Sequence, residues 1–151
     1  MPLEHGLYKI YYGPDGSREV GRYPIEDLSL LPKQVYALDD GVRSAAPWVV
    51  EKNSDGNSNT LRALGAKTGT DGRGGYIVAL LIEEMGTVGH WVLTERPQHG
   101  SHVFTIEDSS SGNAWVGVEE DGRTRIHVKP LQDSNNPSHE SLFRFVRVDQ
   151  E

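Results

Sequence analysis

Apolar and polar residues alternate in short runs along this chain, and one kind of run returns three times. Each of these opening segments follows a turn rich in Gly or Asn, and the three span residues 7–10, 60–64 and 103–106. Alternation with a period of two predicts a β-strand with one buried face. The opening segments recur at intervals of about 50 residues, a period that indicates a structural repeat.

Three closing segments share a second pattern, an aromatic residue followed two positions later by another apolar residue. The pairs are Trp48 with Val50, Trp91 with Leu93, and Phe143 with Phe145. Side chains two apart on a strand lie on the same face of the sheet, so each pair predicts a strand that faces the core. Each closing segment follows an opening one, and the chain therefore divides into three units.

Two further β-like segments lie between the opening and the closing segment of each unit. Those of the first and third units are 19–23, 34–38, 114–118 and 125–131. The second unit is less clear, because residues 76–82 read as a buried strand and only Thr87 and Val88 mark the next one. Four strands in each unit make twelve in total.

The turns agree with an all-β chain. Asp-Gly pairs at 15–16, 55–56, 71–72 and 121–122 suit tight hairpins, and no window sustains the apolar stripe of a helix. We predict a single β-trefoil domain over residues 1–151, in which twelve short strands form a pseudo-threefold closed barrel with a hairpin cap. The alternative is an irregular sandwich or barrel in which the spacing is a coincidence.

Charge and composition exclude several classes of function. The net charge of −7 disfavours nucleic acid and anionic membranes as partners. Since the chain has no cysteine, it has no disulfide, no thiolate metal site and no cysteine nucleophile. The first residues lack the apolar region of a signal peptide. We expect a cytoplasmic protein that acts as a monomer.

Catalytic and cofactor motifs are missing from the sequence. The six histidines include no His-Glu-x-x-His pair, and neither a phosphate-loop motif nor a Gly-x-Ser-x-Gly motif occurs. Residues 53–59 alternate oxygen-bearing side chains like a calcium loop, but Ser58 replaces the glycine at the sixth place, so we interpret them as a turn. We predict no enzyme activity, no cofactor and no metal.

The chain resembles the fungal β-trefoil protease inhibitors. The resemblance rests on Gly6-Leu7-Tyr8-Lys9-Ile10 after a short Leu3-Glu4 lead, on the aromatic closing segments, and on an acidic chain of this length without cysteine. These are the small serine protease inhibitors of mushrooms, to which the mycocypin cysteine protease inhibitors are related. The resemblance implies inhibition by a rigid substrate-like loop, with a serine protease of the trypsin-like or chymotrypsin-like type as partner.

The connection at 24–33 is the first candidate for this loop, because prolines restrict both of its ends and leucines interrupt a stretch that would otherwise be polar. The predicted protease-binding residues are Glu26, Asp27, Leu28, Ser29 and Leu30. Leu28 is the candidate for the P1 residue. Alternatively, the leucines cover the end of the barrel, or residues 25–31 form a short 3₁₀ turn against the core.

Other residues suggest two alternatives, a trypsin-like target and a carbohydrate ligand. A trypsin-like target requires a cationic P1 residue, and the candidates are Arg22, Lys33, Arg73 and Lys129. Pro130 weakens Lys129, because proline at P1′ fits a substrate-like loop poorly. The second alternative is a carbohydrate-binding β-trefoil, in which Trp115, Tyr11 and Tyr12 would stack on a sugar. The Gln-x-Trp repeats of ricin-type lectins are missing.

Overall fold

The structure, a computed structural model, describes residues 3–23, 26, 28–44, 46–71, 75–131 and 133–148. These residues form fourteen strands and three 3₁₀ turns. The turns are Glu83–Met85, Pro97–His99 and His139–Ser141. None of the helical turns among the described residues has the length and apolar character that crossing a membrane requires.

The strands fall into three consecutive units. The first unit contains β1 (Gly6–Tyr12), β2 (Val20–Gly21), β3 (Lys33–Gln34), β4 (Tyr36–Ala37) and β5 (Trp48–Lys52). The second contains β6 (Asn59–Ala63), β7 (Ala66–Asp71), β8 (Ile77–Leu80), β9 (Gly86–Val88) and β10 (Trp91–Glu95). The third contains β11 (Val103–Asp108), β12 (Ala114–Glu120), β13 (Arg123–Lys129) and β14 (Phe143–Arg147).

The first and last strands of the three units form a closed six-stranded ring. Going round it, β1 pairs with β5, β5 with β6, β6 with β10, β10 with β11, β11 with β14, and β14 with β1. Every one of these pairings is antiparallel. Closure leaves no open edge along the ring, where other chains could add a strand.

The inner strands of each unit form the cap. Its three hairpins are β2 with β4, β7 with β8, and β12 with β13. The hairpins join one another where β4 pairs with β13, where β3 pairs with β8, and at a bridge between Tyr76 and His127. A six-stranded barrel capped by three hairpins is the β-trefoil, and the predicted fold class is confirmed.

The number and limits of the strands differ from the prediction of twelve. The predicted strand 34–38 is divided into β3 and β4, which pair with different neighbours. The strand β7 is missing from the predicted strands of the second unit, and its Gly69 is a residue type that commonly marks loops. A side chain at Gly69 would lie 2.0 Å from the backbone oxygen of Thr87 in β9, the strand that pairs antiparallel with β7 at this point. The residue is glycine because two backbones meet there.

Large aromatic side chains fill the centre of the core. The ring of Trp115 lies 5.9 Å from that of Trp48, 5.4 Å from that of Trp91 and 6.1 Å from that of Phe143. All four side chains are buried. Because these residues come from all three units, the cluster joins the repeats to one another.

We expect Trp115→Ala to lower the free energy of unfolding by about 3–5 kcal/mol, because it leaves a large cavity between the three units. Trp115→Phe should cost less, since it keeps an aromatic ring and removes an indole N–H that has no partner among the described residues. Equilibrium denaturation in guanidinium measures both variants. A loss for Trp115→Ala as small as that for the exposed Leu64→Ala would contradict this account of the core.

Candidate functional site

The candidate loop lies between β2 and β3, and its leucines face solvent. The exposed fraction is 100% for Leu28, 61% for Leu30 and 55% for Leu31. The chain bends at 28–29, and the alternative of a 3₁₀ turn over 25–31 lies partly outside the described residues. The alternative in which these leucines cover the barrel is therefore wrong. Of the predicted site residues, Asp27 lies outside the described part of the chain.

A buried ion pair fastens the start of the loop. The guanidinium of Arg22 donates to both carboxylate oxygens of Glu26, over 2.6 and 3.0 Å. Its remaining terminal nitrogen, Nη1, donates to the backbone oxygen of Ala63 at the end of β6, over 3.0 Å. The side chain of Arg22 is only 8% exposed. The loop of the first unit is thereby tied to the second unit.

Ser29 and Lys33 fasten the other side of the loop. The hydroxyl oxygen of Ser29 accepts from the backbone N–H of Leu31 and from the ammonium group of Lys33, both over 3.3 Å. Lys33 is buried and pairs with Ala79 in the ladder between β3 and β8. Leu28 therefore projects from a segment that is held on both sides. Such preorganisation reduces the entropy that is lost on binding.

The cationic P1 candidates are less suited than Leu28 to enter a protease cleft. Arg22 and Lys33 are buried, so the structure does not present them to a partner. A P1 residue must be exposed, whereas Arg22 donates to Glu26 and Ala63 and Lys33 donates to Ser29. Lys129 is exposed, although Pro130 follows it, and Arg73 lies outside the described residues.

Further apolar side chains surround the loop. Seven large hydrophobic side chains are exposed among the described residues, and six of them lie on three neighbouring segments. The six, which we call the apolar surface, are Leu28, Leu30, Leu31, Leu64, Ile82 and Met85. Antiparallel pairing of β3 and β7 with β8 places all three segments at the end of β8.

The members of the apolar surface outside the loop were not predicted, although one of them carries a sequence signal. Leu64 and Gly65 connect β6 to β7 in a two-residue turn with φ values of 52° and 82°. The central residues of such a turn point away from both strands, so a leucine there is exposed. An apolar residue in a tight hairpin turn could have indicated a contact surface.

The opposite flank of the loop is a groove with aromatic and charged walls. Its volume is about 250 Å³, and Tyr23, Tyr36 and Arg123 face the loop residues Glu26 and Pro32 across it. Burial raises the pKa of the Tyr23 phenol, and the hydrogen bond that it donates to Asp39 adds to this shift. The phenol is therefore uncharged at neutral pH. Tyrosine and arginine are enriched in protein interfaces.

No group of three or more potential metal ligands occurs in the described part of the chain. The segment 53–59 is a turn, as predicted. The carboxylate of Asp55 accepts from the backbone N–H groups of Asn57 and Ser58, both over 2.9 Å, and from the Ser58 hydroxyl. The two backbone hydrogen bonds lower the pKa of Asp55.

The predicted sugar-stacking residues are not an exposed platform. Trp115 is fully buried in the centre of the core, so the expectation that it stacks on a sugar is wrong. Tyr12 packs against His139 and Phe143, and burial raises the pKa of its phenol to about 12. The ring of Tyr11 is half-buried and lies 4.6 Å from the guanidinium carbon of Arg144. Core packing thus occupies the rings of Trp115 and Tyr12, and Arg144 lies over that of Tyr11.

Comparison with known families gives a match over nearly the whole chain. The family model described as peptidase inhibitor I66 matches residues 1–147. A proteinase inhibitor from Coprinopsis cinerea has a similar solved structure, with 31% sequence identity and a TM-score of 0.84. That similarity covers 97% of this chain and 100% of the inhibitor. No curated protein matches the chain.

More distant structures share the fold alone. The Rhizoctonia solani agglutinin is 17% identical, with a TM-score of 0.70 over 98% of this chain and 99% of its own. The Polyporus squamosus lectin is 15% identical, with a TM-score of 0.63 over 97% of this chain and 50% of its own. At these identities the similarity carries no information about ligands.

Glu26→Ala should destabilise the protein by about 1–3 kcal/mol, because it leaves the guanidinium of Arg22 buried without its carboxylate. Equilibrium denaturation gives the loss. The matched control is Glu51→Ala, which breaks a more exposed pair with Arg62 and should cost about 1 kcal/mol or less. Equal losses in the two variants would show that the Arg22 contact does not fasten the loop.

Proposed function

The chain belongs to the peptidase inhibitor I66 family, and we propose that it inhibits a serine protease by inserting Leu28 into the S1 pocket of the enzyme. The protease-binding residues are Glu26, Asp27, Leu28, Ser29 and Leu30, with Leu28 and Ser29 as the pair that mimics a scissile bond. The inhibitor itself requires no catalytic group, because the chemistry of such a complex belongs to the protease.

One observation carries the proposal above all others: the side chain of Leu28 is fully exposed on a segment that is fastened on both sides. An exposed leucine on a mobile linker would lose conformational entropy on docking, and this loss would weaken the complex. Here the ion pair of Arg22 with Glu26 and the hydroxyl contacts of Ser29 restrict the loop before the protease arrives.

The chemistry of leucine indicates the type of target. An apolar P1 side chain fits the hydrophobic S1 slot of a chymotrypsin-like or subtilisin-like protease, whereas a trypsin-like S1 pocket contains a buried aspartate that requires Arg or Lys. Two of the four cationic candidates, Arg22 and Lys33, are buried. We therefore favour the chymotrypsin-like or subtilisin-like type.

The apolar surface also indicates that a partner contacts the end of the molecule that carries the loop. An isolated exposed leucine needs no explanation, but a contiguous group of them usually marks a site of protein association. Leu64 and Met85 are each 41% exposed and lie on segments adjacent to the loop. A protease seated on Leu28 would remove this area from water, which favours binding.

We expect Leu28→Arg to shift inhibition from chymotrypsin-like toward trypsin-like proteases. The ratio of the two inhibition constants should change by about tenfold or more, and each tenfold corresponds to about 1.4 kcal/mol. The shift follows from the change of an apolar P1 side chain to a cationic one. Titration of each protease against the wild-type protein and the variant measures it.

Leu30→Arg is the matched control, because it introduces the same charge two residues away on the same exposed segment. This variant should leave the preference between the two protease types unchanged. If neither variant alters inhibition, the reactive loop lies elsewhere on the molecule. If the wild-type protein inhibits no serine protease at micromolar concentration, the proposed target class is wrong.

A further inference from the structure

Two arginines on β13 lie over tyrosine rings. Arg123 and Arg125 are two residues apart, so their side chains lie on the same face of the strand. The guanidinium carbon of Arg123 lies 4.6 Å from the ring centre of Tyr23 and 5.7 Å from that of Tyr36. That of Arg125 lies 3.5 Å from the ring centre of Tyr76. We call these five residues the arginine–tyrosine cluster.

Neither guanidinium of the cluster donates a hydrogen bond or forms an ion pair within the described part of the chain. The Nε atom of Arg125 is shielded from solvent and has no partner there. Other arginines of the protein do pair with carboxylates, namely Arg22, Arg43, Arg62, Arg96 and Arg147. The terminal N–H donors of both arginines therefore have no hydrogen-bond or ion-pair partner within the described residues, whereas the Nε of Arg125 is out of reach of a ligand.

The neighbouring carboxylates do not take up these donors. Glu26 accepts from Arg22, as described above. The carboxylate of Glu120 lies 3.4 Å from both the Tyr76 hydroxyl and the His127 ring nitrogen. Burial lowers the pKa of His127, which keeps the ring uncharged at neutral pH. Asp121 lines the same surface without forming an ion pair with either arginine.

Contact with an aromatic ring orients a guanidinium so that it can bind a carboxylate. The guanidinium carbons lie over tyrosine rings, and a guanidinium stacked on a ring can still donate in its own plane to both oxygens of a carboxylate. The two tyrosines beside Arg123 are themselves held in place by hydrogen bonds. The phenol of Tyr23 donates to Asp39 over 3.1 Å, and the phenol of Tyr36 donates to Gln34. Little side-chain entropy remains to be lost on binding.

The cluster is continuous with the candidate loop. Arg123 lines the groove that also contains Glu26 and Pro32, and it lines a second groove next to it together with Arg125. A stable protein complex buries about 800 Å² on each partner, which is more than the five residues 26–30 supply. A protease seated on Leu28 must therefore contact the surfaces beside the loop.

We propose that Arg123 and Arg125 form a second contact site for the target protease, which binds a carboxylate side chain at the border of the protease cleft. This proposal rests on the proposed function, since it assumes that the loop enters that cleft. Arg123 and Arg125 are cations on a protein whose net charge is −7, and their guanidinium groups would attract a carboxylate of the cleft border toward the loop. The site thereby selects among proteases that share the same S1 preference.

The double variant Arg123→Gln/Arg125→Gln tests the proposal against a panel of chymotrypsin-like and subtilisin-like proteases with acidic or basic cleft borders. Against enzymes with an acidic border we expect inhibition to weaken about tenfold at low salt, mainly through slower association. The association rate of the wild-type protein should fall as salt rises, and that of the variant should depend on salt much less. Enzymes with a basic border should show no loss.

Arg147→Gln is the matched control, because Arg147 also lies over a tyrosine ring, that of Tyr8, but belongs to the barrel strand β14 and not to the cap. It should leave the inhibition constants unchanged. Arg123→Gln alone, at an exposed position, serves as the second variant if the double variant is unstable. Thermal unfolding establishes that the variants compared are folded.

The outcomes separate the two proposals. If the wild-type protein inhibits, and Leu28→Arg shifts its preference, but the glutamine variants inhibit equally well at every salt concentration, the second contact site is wrong and the reactive loop stands. If the wild-type protein inhibits none of the enzymes, both proposals fail. If inorganic phosphate stabilises the wild-type protein but not the double variant, while inhibition is unchanged, the arginines bind a small anion and the protease contact is wrong.

Discussion

The packing of Trp115 against Trp48, Trp91 and Phe143 is the contact on which the other parts of this structure depend. A ring of six strands encloses a space that only large side chains can fill, and each unit supplies at least one of the four rings. Several cap strands are only two residues long, too short to be stable by their own hydrogen bonds. Burial of the aromatic cluster under the cap compensates for that weakness.

The loop of the first unit depends on the second unit for its shape. Arg22 reaches the end of β6, and β3 pairs with β8 directly after the loop. Both anchors cross between repeats, so the exposed segment is fixed by the tertiary structure and not by its own sequence. The same pairing brings the segments of Leu64 and Met85 to the end of β8 where the loop begins its return to β3. A barrel built from repeats thus provides a contact surface that no single repeat contains.

The repeat was predictable because it depends on alternation and aromatic spacing, which are local properties of the sequence. The exposure of Leu28 was one of two alternatives, since leucines between prolines can either face solvent or cover the end of the barrel. The burial of Arg22 and of Trp115 was not predictable, because it depends on which distant residue lies opposite. The backbone oxygen of Ala63 accepts a hydrogen bond from the buried Arg22. The strand β7 was not predicted, because only the structure shows that Gly69 is required by the close approach of β9.

The pairing of the first strand of the ring with the last has a consequence for the lifetime of the folded state. β1 and β14 meet only after nearly the whole described chain has been placed, and such nonlocal contacts slow folding. The same closure leaves no terminal strand that can separate without opening the barrel. A protease inhibitor survives beside its target only if it rarely exposes its backbone, and a ring that opens as one unit would provide that kinetic resistance to digestion.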